Sequence, residues 1–219
     1  MKRMIAIAAV AAFGAGGAYL FMSQNSTVQT PGTVQAASIV EVAQSDIAEM
    51  VMGAEDAPVT IVEYASFTCP HCATFHNGTF EQIKKNYVDT GKVRFVYREV
   101  YFDRFGLWAS MVARCGGETR FFGIADMLYD QQRDWLGTGD PVQIADALRT
   151  IGRTAGMTSV QVNECMEDTA KAEALFGWYE ANAQRDNIRA TPSFVINGEN
   201  YSNMDYAQFA RVLDEKLAN

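Results

Sequence analysis

The sequence predicts an α/β fold made of a strand–helix–strand unit, a long helical insertion, and a closing hairpin followed by a last helix. Three observations carry this reading. The run Val59-Thr60-Ile61-Val62-Glu63-Tyr64-Ala65 is β-branched and mostly apolar, and it leads within a few residues to Cys69-Pro70-His71-Cys72 at a helix start. Residues 104–187 read as helical throughout, with stop and start signals between segments. Strand character returns at Ser193-Phe194-Val195-Ile196, and Asn197-Gly198 then marks a hairpin turn toward Glu199-Asn200-Tyr201.

Taken in order, the chain opens with Lys2 and Arg3, an apolar run from Met4 to Phe13, and the small residues Gly14 to Ala18, the layout of an export signal. Tyr19-Leu20-Phe21-Met22 prolongs the apolar stretch enough to cross a bilayer. Residues 1–22 are therefore read as a signal that is cut or as an uncut membrane anchor, with a later cut after Ala36 as a third outcome. All three place the body of the protein outside the cytoplasm, in the periplasm. Residues 23–37 are polar, carry Pro31-Gly32, and read as a linker; 38–219 are the folded domain.

Within that domain, Pro70 suits the first position of a helix that runs to about Tyr87, with a bend near Asn77-Gly78. After Gly91, the alternation from Val93 to Val100 is a second strand. Gly116-Gly117 ends a helix after Cys115, and Asp140-Pro141 opens another with Ile144, Ala145, Leu148 and Ile151 at helical spacing. Thr158 with Gln161 is a capping-box pattern for the helix that carries Cys165. Asp205 to Leu217 closes the chain as an amphipathic helix.

With 219 residues, 48% hydrophobic and 20% charged, the chain is long and apolar enough to bury a proper core. A net charge of −8 excludes the basic footprint that phosphate backbones require, so nucleic acid is not an expected partner. The four cysteines suit an oxidising compartment and divide into a close pair, Cys69 and Cys72, and a distant one, Cys115 and Cys165.

The close pair has the chemistry of a dithiol switch. One helical turn brings the two sulfurs together, and the first sits where unpaired N–H groups and the helix dipole favour a thiolate. His71 between them adds positive charge or a hydrogen bond. A stable thiolate in the reduced form makes the disulfide form a stronger oxidant. A structural zinc site would need a second close pair to complete four ligands, and none is present. A plain structural disulfide is the other alternative at this position.

Glu63-Tyr64-Ala65-Ser66-Phe67-Thr68-Cys69-Pro70-His71-Cys72, together with Ala190-Thr191-Pro192-Ser193-Phe194, resembles the disulfide-bond protein A (DsbA) family of the thioredoxin superfamily over about positions 47–218. Pro70-His71 is the dipeptide typical of its oxidases. The resemblance implies a thioredoxin fold with the helical insertion between the second strand and a cis-proline strand, and protein thiol–disulfide oxidoreductase activity without metal or cofactor. It further implies that Pro192 is cis and faces the site, that Thr191 offers its backbone to client proteins, and that Glu63 is a buried acid supporting proton transfer. Without it, Pro192 could be a trans residue opening a strand and Glu63 a strand-end carboxylate reaching solvent. Implied partners are cysteine-containing exported clients and a quinone-linked membrane reoxidase. One departure stands out. Thr191 replaces the Val of the best-known oxidases and is commoner in the reductase and isomerase branches.

Cys115 and Cys165 are read as a structural disulfide, against two separate buried thiols or a second redox pair. His76, five residues after His71 and off its face, is read as a surface residue. Phe102, Phe105, Trp108, Phe121 and Phe122 are read as core rather than client surface. Beside the oxidase, two readings stay open: a reductase or isomerase kept reduced by a membrane donor, and a non-enzymatic chaperone or metal carrier.

Overall fold

The computed structural model describes residues 47–218, so the expected export segment, anchor and linker lie outside the described residues. Five strands form one mixed sheet: β1 (Met50–Met52), β2 (Val59–Ala65), β3 (Val93–Glu99), β4 (Ser193–Ile196) and β5 (Glu199–Ser202), in the order β1-β3-β2-β4-β5. β2 and β3 run parallel, which demands a crossover, and the helix α1 over residues 70–88 supplies it. β4 lies antiparallel to β2 with Tyr64 opposite Ser193, so the chain just before β4 arrives beside the chain just after β2. That register positions the site.

The hairpin between β4 and β5 turns on Asn197 and Gly198, both at positive φ, as its right-handed twist requires. Expected strand limits hold to within a residue. β1 was not foreseen. Three residues carry no readable alternation, and its place is set by pairing with the free edge of β3.

α1 is not uniform. It begins as an α-helix and widens to π-type turns at Phe75–Phe80 and Lys84–Val88, the first of them spanning Asn77-Gly78, where a bend was expected. The insertion holds α2 (Arg104–Cys115), α3 (Glu118–Asp130), α4 (Gln132–Leu136), α5 (Pro141–Thr154), α6 (Ser159–Glu167) and α7 (Thr169–Arg185). Asp140 caps α5, the Thr158–Gln161 box caps α6, and an Asp205–Gln208 box opens α8 (Tyr206–Leu217).

Apolar side chains of the sheet, α1, α3 and α8 close one continuous core, in which Phe67, Tyr97, Phe121 and Tyr129 pack ring against ring. The insertion is fastened to β3 by Arg114 of α2, whose guanidinium meets both Glu99 carboxylate oxygens at 2.6 Å and donates to the Ala48 carbonyl. Both side chains of that pair are buried, so each charge depends on the other.

Candidate active site

Cys69 is the residue that precedes α1, with extended backbone and Pro70 at the first helical position. Pro70 lacks the N–H that a first-turn residue would leave unpaired, and its ring sets the φ that a helix needs. The loop leading in is held tightly. Cys69 N–H donates to the Ser66 carbonyl, and the buried Gln132 amide of α4 donates to the Phe67 and Cys69 carbonyls at 2.8 and 3.0 Å. Thr68 Oγ1 donates to Asp103, whose other oxygen caps α2 by accepting from the Phe105 and Gly106 N–H groups. Gln132 and Asp103 escaped sequence reasoning because each acts on backbone or side chains far away in the chain.

Opposite Cys69 stands the Thr191–Pro192 peptide, which is cis. The Thr191 carbonyl oxygen is 3.6 Å from Cys69 Sγ, close enough to accept a hydrogen bond from the thiol. Cys69, Pro70, His71, Cys72, Thr191 and Pro192 therefore meet in one place. Cys115 and Cys165 do not: they form a disulfide in the helical insertion, joining α2 to α6.

The two sulfurs of the close pair have opposite surroundings. Cys69 is held down to about 5, first by a hydrogen bond from the Cys72 thiol, then by the Thr191 side chain and the N–H groups of Cys72 and His71, against the opposing effect of burial. Cys72 is pushed far above the ordinary thiol range by burial, by serving Cys69 as a hydrogen-bond donor, and by the negative charge of Glu63. A thiolate and a neutral thiol thus sit side by side. His71 is exposed, and its contribution to the thiolate comes through its backbone N–H.

Glu63 is wholly buried on β2, not a strand-end carboxylate at the surface. Its Oε2 lies 2.9 Å from Nε2 of His76. The reading of His76 as a surface residue is corrected: it is 3% exposed, stacked on Tyr129 with ring centroids 4.1 Å apart and edged by Phe75 and Tyr97. The relevant spacing was four residues from Cys72, not five from His71, because residues four apart share a helix face and Cys72 points into the core. Of the aromatic group, Phe121 is core and Phe105, Trp108 and Phe122 pack against it, as expected. Phe102 is the exception at 60% exposed, lining a cleft beside Thr191, Ile188 and Arg189.

Among known proteins, a protein of Rickettsia bellii provisionally named a protein-disulfide oxidoreductase is 35% identical over 158 residues, covering 70% of this chain and 60% of its own length. Disulfide bond formation protein D of Bacillus subtilis is 27% identical over 179 residues, 76% of each chain. The chain spans about 60% of the length of the rickettsial relatives it matches. Among solved structures, Wolbachia pipientis alpha-DsbA1 superposes with a TM-score of 0.71 at 24% identity, covering 78% of this chain and 91% of its own. Oxidised BdbD from Bacillus subtilis gives 0.70 at 23%, covering 78% and 94%. The thioredoxin family profile matches residues 45–215, from before β1 to the last turn of α8, and the chain belongs to that family, with the helix-inserted, DsbA-like form of its fold.

Proposed function

We propose that this protein is an exported thiol–disulfide oxidoreductase that donates a Cys69–Cys72 disulfide to client proteins folding in the periplasm. The observation that carries the reading is the asymmetry of the two sulfurs, a stabilised Cys69 thiolate against a Cys72 thiol held protonated. A client thiolate attacks Cys69 Sγ, the Cys69–Cys72 bond breaks, and its electron pair goes to Cys72, which takes up a proton. A second client thiolate then attacks the client sulfur of the mixed disulfide and expels Cys69 as thiolate. The client leaves with one disulfide and the enzyme with two more electrons. The easier Cys69 is to expel, the further the exchange runs toward an oxidised client.

Thr191 and cis Pro192 form the surface on which an extended client strand lies, the Thr191 backbone pairing with it. Glu63, whose charge acts on Cys72, supports the proton uptake. No helix among the described residues is long and apolar enough to cross a membrane, so tethering falls to residues 1–22 if they are kept. Recharging falls to a quinone-linked membrane partner. Pro70 and the rest of the centre need no metal or cofactor, since the two sulfurs carry both electrons.

The test pairs two single variants. Cys72→Ser leaves a Cys69 thiolate that attacks a client disulfide and has no neighbouring thiol to displace the client, so it should trap a mixed disulfide with an oxidised client, and Cys69→Ser should trap none. The reverse pattern, or full client oxidation by Cys69→Ser, removes the proposal. Thr191 favours one second reading, a reductase or isomerase, and a redox titration against glutathione separates them: an oxidase is reduced at the oxidising end of the range.

A further inference from the structure

Two buried polar atoms at the heart of the molecule have no hydrogen-bond partner among the described residues: Oε1 of Glu63 and Nδ1 of His76. Both belong to the one pair joined by the 2.9 Å Oε2–Nε2 contact. Buried polar atoms are rarely left unmatched unless they serve a purpose, because each has given up its hydration with nothing in return. A histidine needed only to fill space in this aromatic box could be a phenylalanine, like its neighbours Phe75 and Phe80.

We propose that His76 is the positioning residue that shares an exchangeable proton with Glu63, and that this pair supplies and retrieves the proton of Cys72 as the disulfide opens and closes. The inference rests on the oxidoreductase reading and deepens it. Three features support it. An imidazole can hold the proton on Nε2 facing Glu63, or on both nitrogens, without moving its ring. Stacking on Tyr129 and contact with Phe75, Tyr97 and Phe80 keep the ring in place beside Glu63. Glu63 acts on Cys72 electrically, so the charge of the pair is felt at the sulfur.

When a client thiolate attacks Cys69 Sγ, the electrons of the Cys69–Cys72 bond go to Cys72 Sγ. One proton leaves the Glu63–His76 pair for that sulfur, giving a neutral thiol and leaving the pair one unit more negative. Solvent restores the proton later. Reoxidation runs the step backward: as Cys72 forms the disulfide, its proton returns to the pair.

The groups facing the pair come from every element around it. Tyr97 from β3 and Tyr129 from α3 are both held well above the ordinary phenol range, first by burial, so neither competes for the proton. Asp126 of α3 also senses the charge of His76. Cys72, four residues before His76 on α1, is the thiol on which the charge of Glu63 acts.

His71 and His76 are the chain's two histidines, so imidazole nitrogen signals assign with one His71→Ala variant. Nitrogen-15 spectra of the full chain should show the His76 ring changing protonation or tautomer between the disulfide and dithiol forms. That change should vanish in Glu63→Gln. His76→Gln keeps a donor for Glu63 but cannot exchange a proton; it should slow client oxidation at least tenfold and displace the pH–rate profile. If the His76 signals are identical in both redox forms and His76→Gln keeps the wild-type pH profile, the inference fails. In that case a displaced profile in Glu63→Gln would leave the Glu63 reading standing, and an unchanged one would remove it too.

Discussion

The Cys69 sulfur and the Thr191 carbonyl oxygen lie 3.6 Å apart, joining two points 122 residues distant along the chain at the mouth of the site. The same residue lowers Cys69 through its side chain, so Thr191 tunes the sulfur that the proposed function makes the point of client attack. Thr191→Val keeps the shape and removes the hydroxyl. The Cys69 thiolate should then titrate higher than about 5, by on the order of one pH unit. Thiolate ultraviolet absorbance against pH reads the change directly, and an unmoved titration would mean the hydroxyl does not reach the sulfur.

A thiolate held at about 5 also links redox state to stability. In the reduced protein Cys69 titrates below its unfolded value, so between roughly pH 5 and 9 the unfolded chain binds more protons than the native one. The stabilisation from this group is therefore complete above the unfolded value and is lost as pH falls through about 5. At pH 7 it is on the order of 2 kcal/mol. Reduced wild type compared with reduced Cys69→Ala should show a stability difference that grows from pH 5 to pH 8 in urea denaturation. A flat difference would contradict the thiolate.

Arg114 and Glu99 show what fastens the helical insertion. The paired nitrogens and oxygens are 2.6 Å apart, and both side chains are almost fully enclosed. Arg114→Ala strands the Glu99 carboxylate in the core and should cost about 3–5 kcal/mol. Replacing both with apolar residues, Arg114→Met with Glu99→Leu, should recover much of that loss, because the stranded charge is the main penalty. Denaturation midpoints of the single and double variants decide it.

The Cys115–Cys165 disulfide ties α2 to α6 across 50 residues. Cys115→Ala with Cys165→Ala should lower stability by about 4 kcal/mol on the chain-entropy argument, and by less if the unfolded chain retains structure. The variant should keep its Cys69 titration, since the disulfide lies in the insertion and not at the site. Non-reducing digestion with mass spectrometry should find the two cysteines on one linked fragment.

Most of the fold was legible because its signals are local. β-branched alternation marked β2 and β3, Asp140-Pro141 and the Thr158–Gln161 capping box marked helix starts, amphipathic spacing marked the last helix from Asp205, and Asn197-Gly198 marked the hairpin. The cysteine pair was legible for the same reason, since one helical turn joins it. What stayed hidden depends on contacts between distant segments. β1 exists only as a partner of β3. Gln132 looks like any polar residue between two helices until α4 docks against the Cys69 loop. His76 was misplaced because it was compared with His71, the solvent-facing residue, instead of Cys72, the buried one.

Gln132 gives the sharpest test of how the site is held. Its amide donates to two carbonyls, those of Phe67 and Cys69, which flank the turn into α1. Gln132→Leu keeps the size and the burial but leaves the Phe67 carbonyl without that donor, at a cost of about 1–3 kcal/mol if it stays buried, and the Cys69 carbonyl with the Ala73 N–H alone. The loop has two ways to avoid that cost: it can shift toward water, or α4 can withdraw. Either response moves Cys69 relative to the N–H groups of His71 and Cys72 that hold its thiolate. The variant should therefore lose stability and also raise the Cys69 titration above about 5, although residue 132 does not touch the sulfur. Gln132→Glu distinguishes the two effects, since a carboxylate cannot donate and would add repulsion toward the carbonyls, giving the larger upward movement. Equal titrations for wild type and both variants would show that the two carbonyls need no fastening by residue 132 to keep the Cys69 thiolate in place.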